Sequence, residues 1–279
     1  MKKNNIDFPV RLVVSYKEEA ISICEMFNLQ LLDNTNPFKV FCDQKKLIWL
    51  IISGPGKNNS FRATNYLSKI SFPPPWSLWM NFGIAGHINE KIGNLVIVDK
   101  VINGTDKKYF FTGSVAKLDF PKSPLISLDK PIKYFYKHDR SLYDMEAAGF
   151  MRAVEKFTFR ELICIIKIVS DNSKYPFNKN IVNIAKKIIR DNKINIKACI
   201  LAHKLICKTE KNRFNKIKFI KEILESFHFT HSEKLQMKRN LTKWNICYPN
   251  SNPEEILKAA KSAKEFINIL DNQIFETIK

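Results

Sequence analysis

The segment Asp144-Met145-Glu146-Ala147-Ala148-Gly149 sets two acids and a thioether at the start of a helix rich in small residues. Carboxylates there gain from the positive end of the helix dipole, which is a purely structural use. A carboxylate aimed into a pocket can instead accept two hydrogen bonds from a sugar diol while a methionine packs beneath the sugar ring. Residues alone leave both uses open. Val169-Ser170-Asp171-Asn172 closes the apolar run 164–170, and an acid leaving a buried strand is placed for proton transfer to a ligand. The same Ser-Asp-Asn suits a turn or a helix cap. Lys17-Glu18-Glu19 follows the apolar run 10–15, so each glutamate is either a first-turn helix acid or a general base for water.

Two glycine-bearing segments could form the floor of a site. Ser53-Gly54-Pro55-Gly56-Lys57 lies between the apolar run 47–52 and a helical pattern. Its backbone N–H groups can approach a ligand at a helix N-terminus, although the spacing fits neither a Walker loop nor a dinucleotide fingerprint. In Asn81-Phe82-Gly83-Ile84-Ala85-Gly86-His87 a strand runs into two glycines, and small residues there open the crevice in which α/β proteins place ligands. His87 reads as a loop histidine rather than a base.

These segments need a frame. Runs at 10–15, 47–53, 79–83, 95–98 and 164–170 suit strands buried on both faces. Helical patterns at 18–27, 60–70 and 145–157 alternate with them, which predicts an α/β sheet covered by helices. Asn103-Gly104 and Thr112-Gly113 mark turns on a strand-rich excursion. All eight glycines lie at or before Gly149. From 179 onward the pattern is helical, at 181–189, 196–207, 214–227, 232–244 and 253–274, with plausible boundaries at 191–192 and 208–213.

The composition narrows the class. With 279 residues, 45% of them hydrophobic and 26% charged, the chain is an ordinary globular protein of one large domain with an extension. Its six cysteines lie apart, without zinc spacing, as reduced thiols of a cytosolic protein would. Leu12-Val13-Val14 before Lys17 is too short for a signal peptide, and the run 47–52 is about a third of a membrane span. The net charge of +19 comes from 38 lysines and only 8 arginines, scattered along the chain. Specific readers of phosphates and bases favour arginine, so the charge alone does not name a partner.

The order of the motifs is more telling than any one of them. Strand and acid, S-G-x-G-K, N-x-G-x-A-G, D-M-E-A-A and V-S-D-N follow one another as in the nucleoside phosphorylase/nucleosidase superfamily. The chain most resembles the methylthioadenosine/S-adenosylhomocysteine nucleosidases, over about residues 10–207. This resemblance implies a three-layer α/β/α sandwich with a central mixed sheet, followed by a C-terminal α-helical extension. The expected domains are 1–207, the nucleosidase-like part, and 208–279, a basic helical segment to which no role is assigned. Thr230 or Ser232 should cap a helix there.

The resemblance also distributes roles. Glu146 matches the residue that holds the ribose hydroxyls and Met145 the one beneath the ribose. Asp171 looks like the acid that protonates the purine, steadied by Ser170. Glu19, or its neighbour Glu18, is similar in place to the glutamate that orients the attacking water. Phe177 would wall the base, with Tyr109 and Phe110 as softer candidates, and Ser53, Gly54, Ala85 and Gly86 would touch the substrate. Phosphorylases of the superfamily hold phosphate with arginines near the first strand. Here the corresponding stretch is Ser15-Tyr16-Lys17-Glu18-Glu19, whose acids would repel phosphate, which favours hydrolysis. Ile84 stands where the family usually has a hydroxyl residue near the nucleophile, so an unusual substrate or weakened catalysis is also open. The expectation is a cytoplasmic N-glycoside hydrolase for a purine nucleoside or thio-nucleoside, a homodimer without metal, cofactor or membrane contact. Its rivals are a phosphorylase, a nucleoside-binding protein that does not cleave, and a basic nucleic-acid-binding protein.

Overall fold

The computed structural model describes residues 6–33, 37–113, 116, 118–132, 135, 140–177, 181–248 and 251–278. It divides into two compact units, Met1–Lys208 and Thr209–Lys279.

In the first unit, β1 (Val10–Val14), β4 (Ile48–Ile52), β5 (Leu78–His87) and β10 (Ile163–Asp171) run parallel, in the order β4, β1, β5, β10. An antiparallel edge, β3 (Val40–Cys42) and β2 (Gln30–Asp33), extends the sheet beyond β4. On the other side the sheet curls. β10 also pairs antiparallel with β6 (Leu95–Asn103), which pairs with β8 (Lys122–Ser127), which pairs with β9 (Leu142–Asp144), which returns to β5. Five strands thus close a ring, and the short β7 (Tyr109–Phe111) hangs on β6 as a hairpin. The sheet is mixed, as expected.

Strand alternation builds two cores. Leu78, Met80 and Phe82 of β5, with Cys164, Ile166 and Ile168 of β10, face one way. They bury against Ala20 and Ile23 of α1 (Lys17–Phe27), Ala185 and Ile189 of α4 (Ile181–Asp191), and Cys199 of α5 (Lys193–Ala202). Trp79 and Ala85, with Ile163, Ile165 and Val169, face the other way, against Leu67 of α2 (Lys57–Ser71) and Phe150 of α3 (Ala147–Val154). Apolar side chains on both faces of a parallel strand give the near-continuous runs seen in the sequence. The result is three layers.

Several helix bounds differ from the sequence pattern. The stretch 208–213 does not interrupt a helix, because Lys-Thr-Glu-Lys-Asn-Arg contains neither Gly nor Pro, and α6 runs unbroken from Lys204 to Ser226. The break falls earlier, at His203, between α5 and α6. The single helix expected over 253–274 is two, α8 (Glu254–Ala259) and α9 (Ala263–Ile278). Ser262 causes the restart, since its hydroxyl accepts the Glu265 N–H at 3.2 Å as a cap. In the second unit α7 (His231–Cys247) begins at Thr230, whose hydroxyl accepts the Glu233 N–H while Glu233 Oε2 accepts the Thr230 N–H at 2.8 Å. That reciprocal pair is a capping box. Met237, Leu241 and Trp244 of α7 bury with Phe266 and Leu270 of α9.

Candidate active site

The carboxyl ends of β1, β5 and β10 point the same way, and a cleft opens there. Asp171 is the last residue of β10 and only 4% exposed. Ser170 Oγ donates to its Oδ1 at 2.6 Å, while Oδ2 has no protein partner among the described residues. Burial pushes this carboxyl above its ordinary range, and the Ser170 hydrogen bond opposes the rise only in part. The strand beside it is shaped to admit it. A Cβ on Gly86 would stand 2.7 Å from Asp171 Oδ2 and 3.1 Å from Phe135 Cζ, so only glycine leaves room for the acid.

A second acid stands at the head of α3. Glu146 Oε1 accepts the Gly56 N–H at 2.9 Å and the Ser15 hydroxyl at 3.3 Å, and Oε2 accepts the Met145 N–H at 3.3 Å. Burial, then the charge of Asp144, raise Glu146 to about 7 against the pull of Lys167. Gly149 lets α3 come this close to α2, because a Cβ there would fall 1.9 Å from the Lys57 carbonyl oxygen.

Glu19 lies one layer behind the wall. Its Oε2 accepts the N–H groups of Ser15 and Tyr16 at 2.8 and 2.9 Å, and Oε1 accepts that of Ile84 at 3.0 Å. It is 1% exposed, and burial raises its carboxyl despite those three donors and Lys167. Gly83 makes its space, since a Cβ there would sit 2.7 Å from Glu19 Oε1.

Lys167 joins these acids. It sits in the middle of β10, fully buried, with Nζ 2.8 Å from Asp144 Oδ2. Burial alone would lower its pKa, but Asp144, Glu146 and Glu19 together raise it, so it is held as an ammonium ion. Asp144 Oδ2 also takes the Ala147 N–H at 3.0 Å, the helix-dipole use foreseen for an acid at this place. One cation thus faces three buried carboxylates.

The structure brings most of the expected residues together. Ala85, Gly86, Met145, Glu146, Ser170, Asp171 and Phe177 all line the cleft. Glu19, Ser53 and Gly54 do not. Ser53 Oγ donates to the Gly54 carbonyl, the Gly54 N–H goes to Ser15, and it is Gly56 that reaches Glu146. Glu18, Tyr109 and Phe110 are also absent from the wall, Phe110 being buried and Tyr109 55% exposed on β7. His87 is structural: Nδ1 accepts the Asn89 and Glu90 N–H groups, and Nε2 meets the Arg140 carbonyl at 2.9 Å. Among the described residues no three His, Cys, Asp or Glu side chains gather as a metal would require. No described helix is long and apolar enough to cross a membrane.

Lys167 and Tyr16 were not singled out from the sequence. For Lys167 a signal existed, since a lysine inside an apolar run must be buried and therefore paired. Tyr16 carries no such mark, yet its ring lines the cleft beside Glu146.

No family model and no curated protein matches the chain. Solved structures do. The 5'-methylthioadenosine/S-adenosylhomocysteine nucleosidase of Helicobacter pylori, crystallised with butyl-thio-DADMe-Immucillin-A, is similar at TM-score 0.56 and 15% identity, covering 70% of this chain and 99% of its own. Futalosine hydrolase of the same organism gives 0.56 and 15%, covering 69% and 97%. The 5'-methylthioadenosine nucleosidase of Arabidopsis thaliana gives 0.56 and 14%, covering 68% and 96%. The chain has the nucleoside phosphorylase/nucleosidase fold, and its C-terminal helices are additional to it.

Proposed function

We propose that a chain with this fold and this cleft hydrolyses the N-glycosidic bond of a purine nucleoside or thio-nucleoside. The observation that carries the reading is Asp171, a buried carboxyl with Oδ1 held by Ser170 and Oδ2 open over Gly86, in one cleft with Met145 and Glu146. Burial raises this carboxyl above an ordinary aspartate, which suits it to carry a proton to a ring nitrogen of the base. Oδ1 is occupied as an acceptor, so the proton belongs on Oδ2. Protonation turns the base into a leaving group, and the sugar develops positive charge as the bond stretches.

Glu146 accepts the sugar hydroxyls in this reading. A carboxylate offers about four acceptor sites; Gly56, Ser15 and Met145 use three, so one is free for a sugar hydroxyl, and the bonds at 3.3 Å are long enough for one of them to yield to the second. In its ionised form Glu146 presents negative charge to the sugar, which favours a cationic sugar. Water then adds to the sugar carbon, and the proton that it loses returns through solvent to the Asp171 carboxylate, restoring the acid. Glu19 is assigned to orient that water, from its place behind the Ile84 and Tyr16 backbone. Hydrolysis is preferred to phosphorolysis because Asp144, Glu146 and Asp171 line the cleft and Lys130 is the one cation among its described lining residues.

The place of Glu19 favours one further reading, a protein that binds a nucleoside without cleaving it. Both oxygens of Glu19 are engaged by backbone donors and none of it lies on the wall. Release of free base from a nucleoside panel, with and without phosphate, separates the three. Phosphate-independent release supports the hydrolase, phosphate dependence the phosphorylase, and saturable binding without release the binding protein. All six cysteines are free thiols, which suits the cytoplasm. A homodimer is proposed by analogy with the fold, with the exposed Tyr109 and Phe111 of β7 as apolar surface for a second copy.

A further inference from the structure

We propose that Tyr16 sets the substrate's 5′ substituent, its phenol selecting a nucleoside with a free 5′-hydroxyl over one bearing an alkylthio group there. This rests on the hydrolase reading and names the substrate class within it. The cleft has two chemically distinct ends. Asp171, Ser170 and Gly86 form one, where the base must lie for proton transfer. Glu146 and Tyr16 form the other, where the sugar lies. Tyr16 is half-buried and lines the cleft. Burial and the neighbouring Glu146, Glu19 and Glu18 raise this phenol to about 12, so it stays protonated and is available as a donor.

A ribose has three hydroxyls. Two form the diol assigned to Glu146, and the third is carried on the 5′ carbon. A 5′-hydroxyl accepts the Tyr16 proton, whereas a thioether sulfur is a weak acceptor and leaves a phenol stripped of water without a partner. The apolar remainder of the wall (Ile84, Met145, Phe177) accommodates either group by packing, so discrimination falls to the phenol.

The experiment compares kcat/KM for base release from adenosine, 5′-methylthioadenosine and 5′-deoxyadenosine, in the wild type and in Tyr16→Phe. The wild type should prefer adenosine to both others by about ten-fold or more, the effect of one satisfied neutral hydrogen bond. Tyr16→Phe should abolish that preference and bring the three substrates to within about two-fold of one another. The 5′-deoxy substrate deletes the same bond from the ligand side, so the result does not depend on the variant's folding. Preference of the wild type for the methylthio nucleoside, or equal slowing of all three by the variant, overturns the proposal. If no base is released, the hydrolase reading fails by itself. The role of Tyr16 is then read from dissociation constants of the same nucleosides by calorimetry, where the same ratio supports it and equal affinities overturn it.

Discussion

Gly86→Ala places a methyl group against the acid on which the proposed chemistry depends. The new Cβ would stand 2.7 Å from Asp171 Oδ2, while carbon–oxygen contacts are comfortable at about 3.3 Å. The carboxyl must therefore retreat by roughly 0.6 Å, and Phe135 Cζ, 3.1 Å from the same point, limits how far β5 can yield. The 2.6 Å bond from Ser170 to Oδ1 would lengthen or break with the movement. An off-rotamer side chain costs about 0.5–1.5 kcal/mol and a hydrogen bond to a carboxyl about 1–2 kcal/mol. Together they amount to roughly 1.5–3.5 kcal/mol, or about 10–400-fold in turnover if the acid must sit where it does. Free base released from a purine nucleoside, followed by chromatography, is the readout, with Asp171→Asn as the benchmark. Folding should suffer less than catalysis, so thermal unfolding is expected to shift by only a few degrees. Wild-type turnover in a folded Gly86→Ala protein would refute the reasoning, because it would mean that the position of Asp171 is immaterial.

Three further outcomes are expected. Glu146 moves from an ordinary 4.5 to about 7 on folding, so the folded state binds the extra proton. Its contribution is fully present below pH 4.5 and lost as pH rises to about 7, on the order of 3 kcal/mol in all, and denaturant midpoints of wild type and Glu146→Gln measured across this range should diverge accordingly. Lys167→Met leaves Asp144, Glu146 and Glu19 buried without a cation. It should cost about 3–5 kcal/mol in urea unfolding, and adding Asp144→Asn should restore part of it; no loss would mean that the buried pair is not ionised. Gly149→Ala drives a Cβ to within 1.9 Å of the Lys57 carbonyl oxygen and should lower the melting temperature by more than Gly86→Ala, since backbone rather than a side chain must move.

The residues proposed to bear chemistry were easier to read than the wall that surrounds them. Asp171 and Glu146 stood out because an acid ends an apolar strand and another opens a small-residue helix, and both signals are local. Gly83 and Gly86 were legible as makers of space but not as seats for Glu19 and Asp171, since that requires the pairing of β5 with strands far away in sequence. Lys167 and Asp144 are 23 positions apart, and their ion pair exists only because β9 and β10 border the same ring. The closure of the ring itself, with β10 bonded to β5 and β6 at once, leaves no periodic trace. In the helical segment, propensity hid the breaks: Ser262 restarts a helix and His203 divides one without any Gly or Pro to announce it.

The strand that accommodates the two acids has hydrogen-bonded neighbours on both of its edges, β1 and β10, and meets β9 near its end. Asp171, the proposed proton donor, is consequently anchored beside a strand paired on both edges, whereas Leu128, Lys130, Pro131 and Ile132, which also line the cleft, come from the connection that leaves β8. On the proposed reading, reactivity and selectivity are thereby decoupled. Exchanges at these four positions would retune which nucleoside is admitted while the acid stays fixed, so a library randomised there should yield folded proteins with altered preference far more often than one randomised along β5.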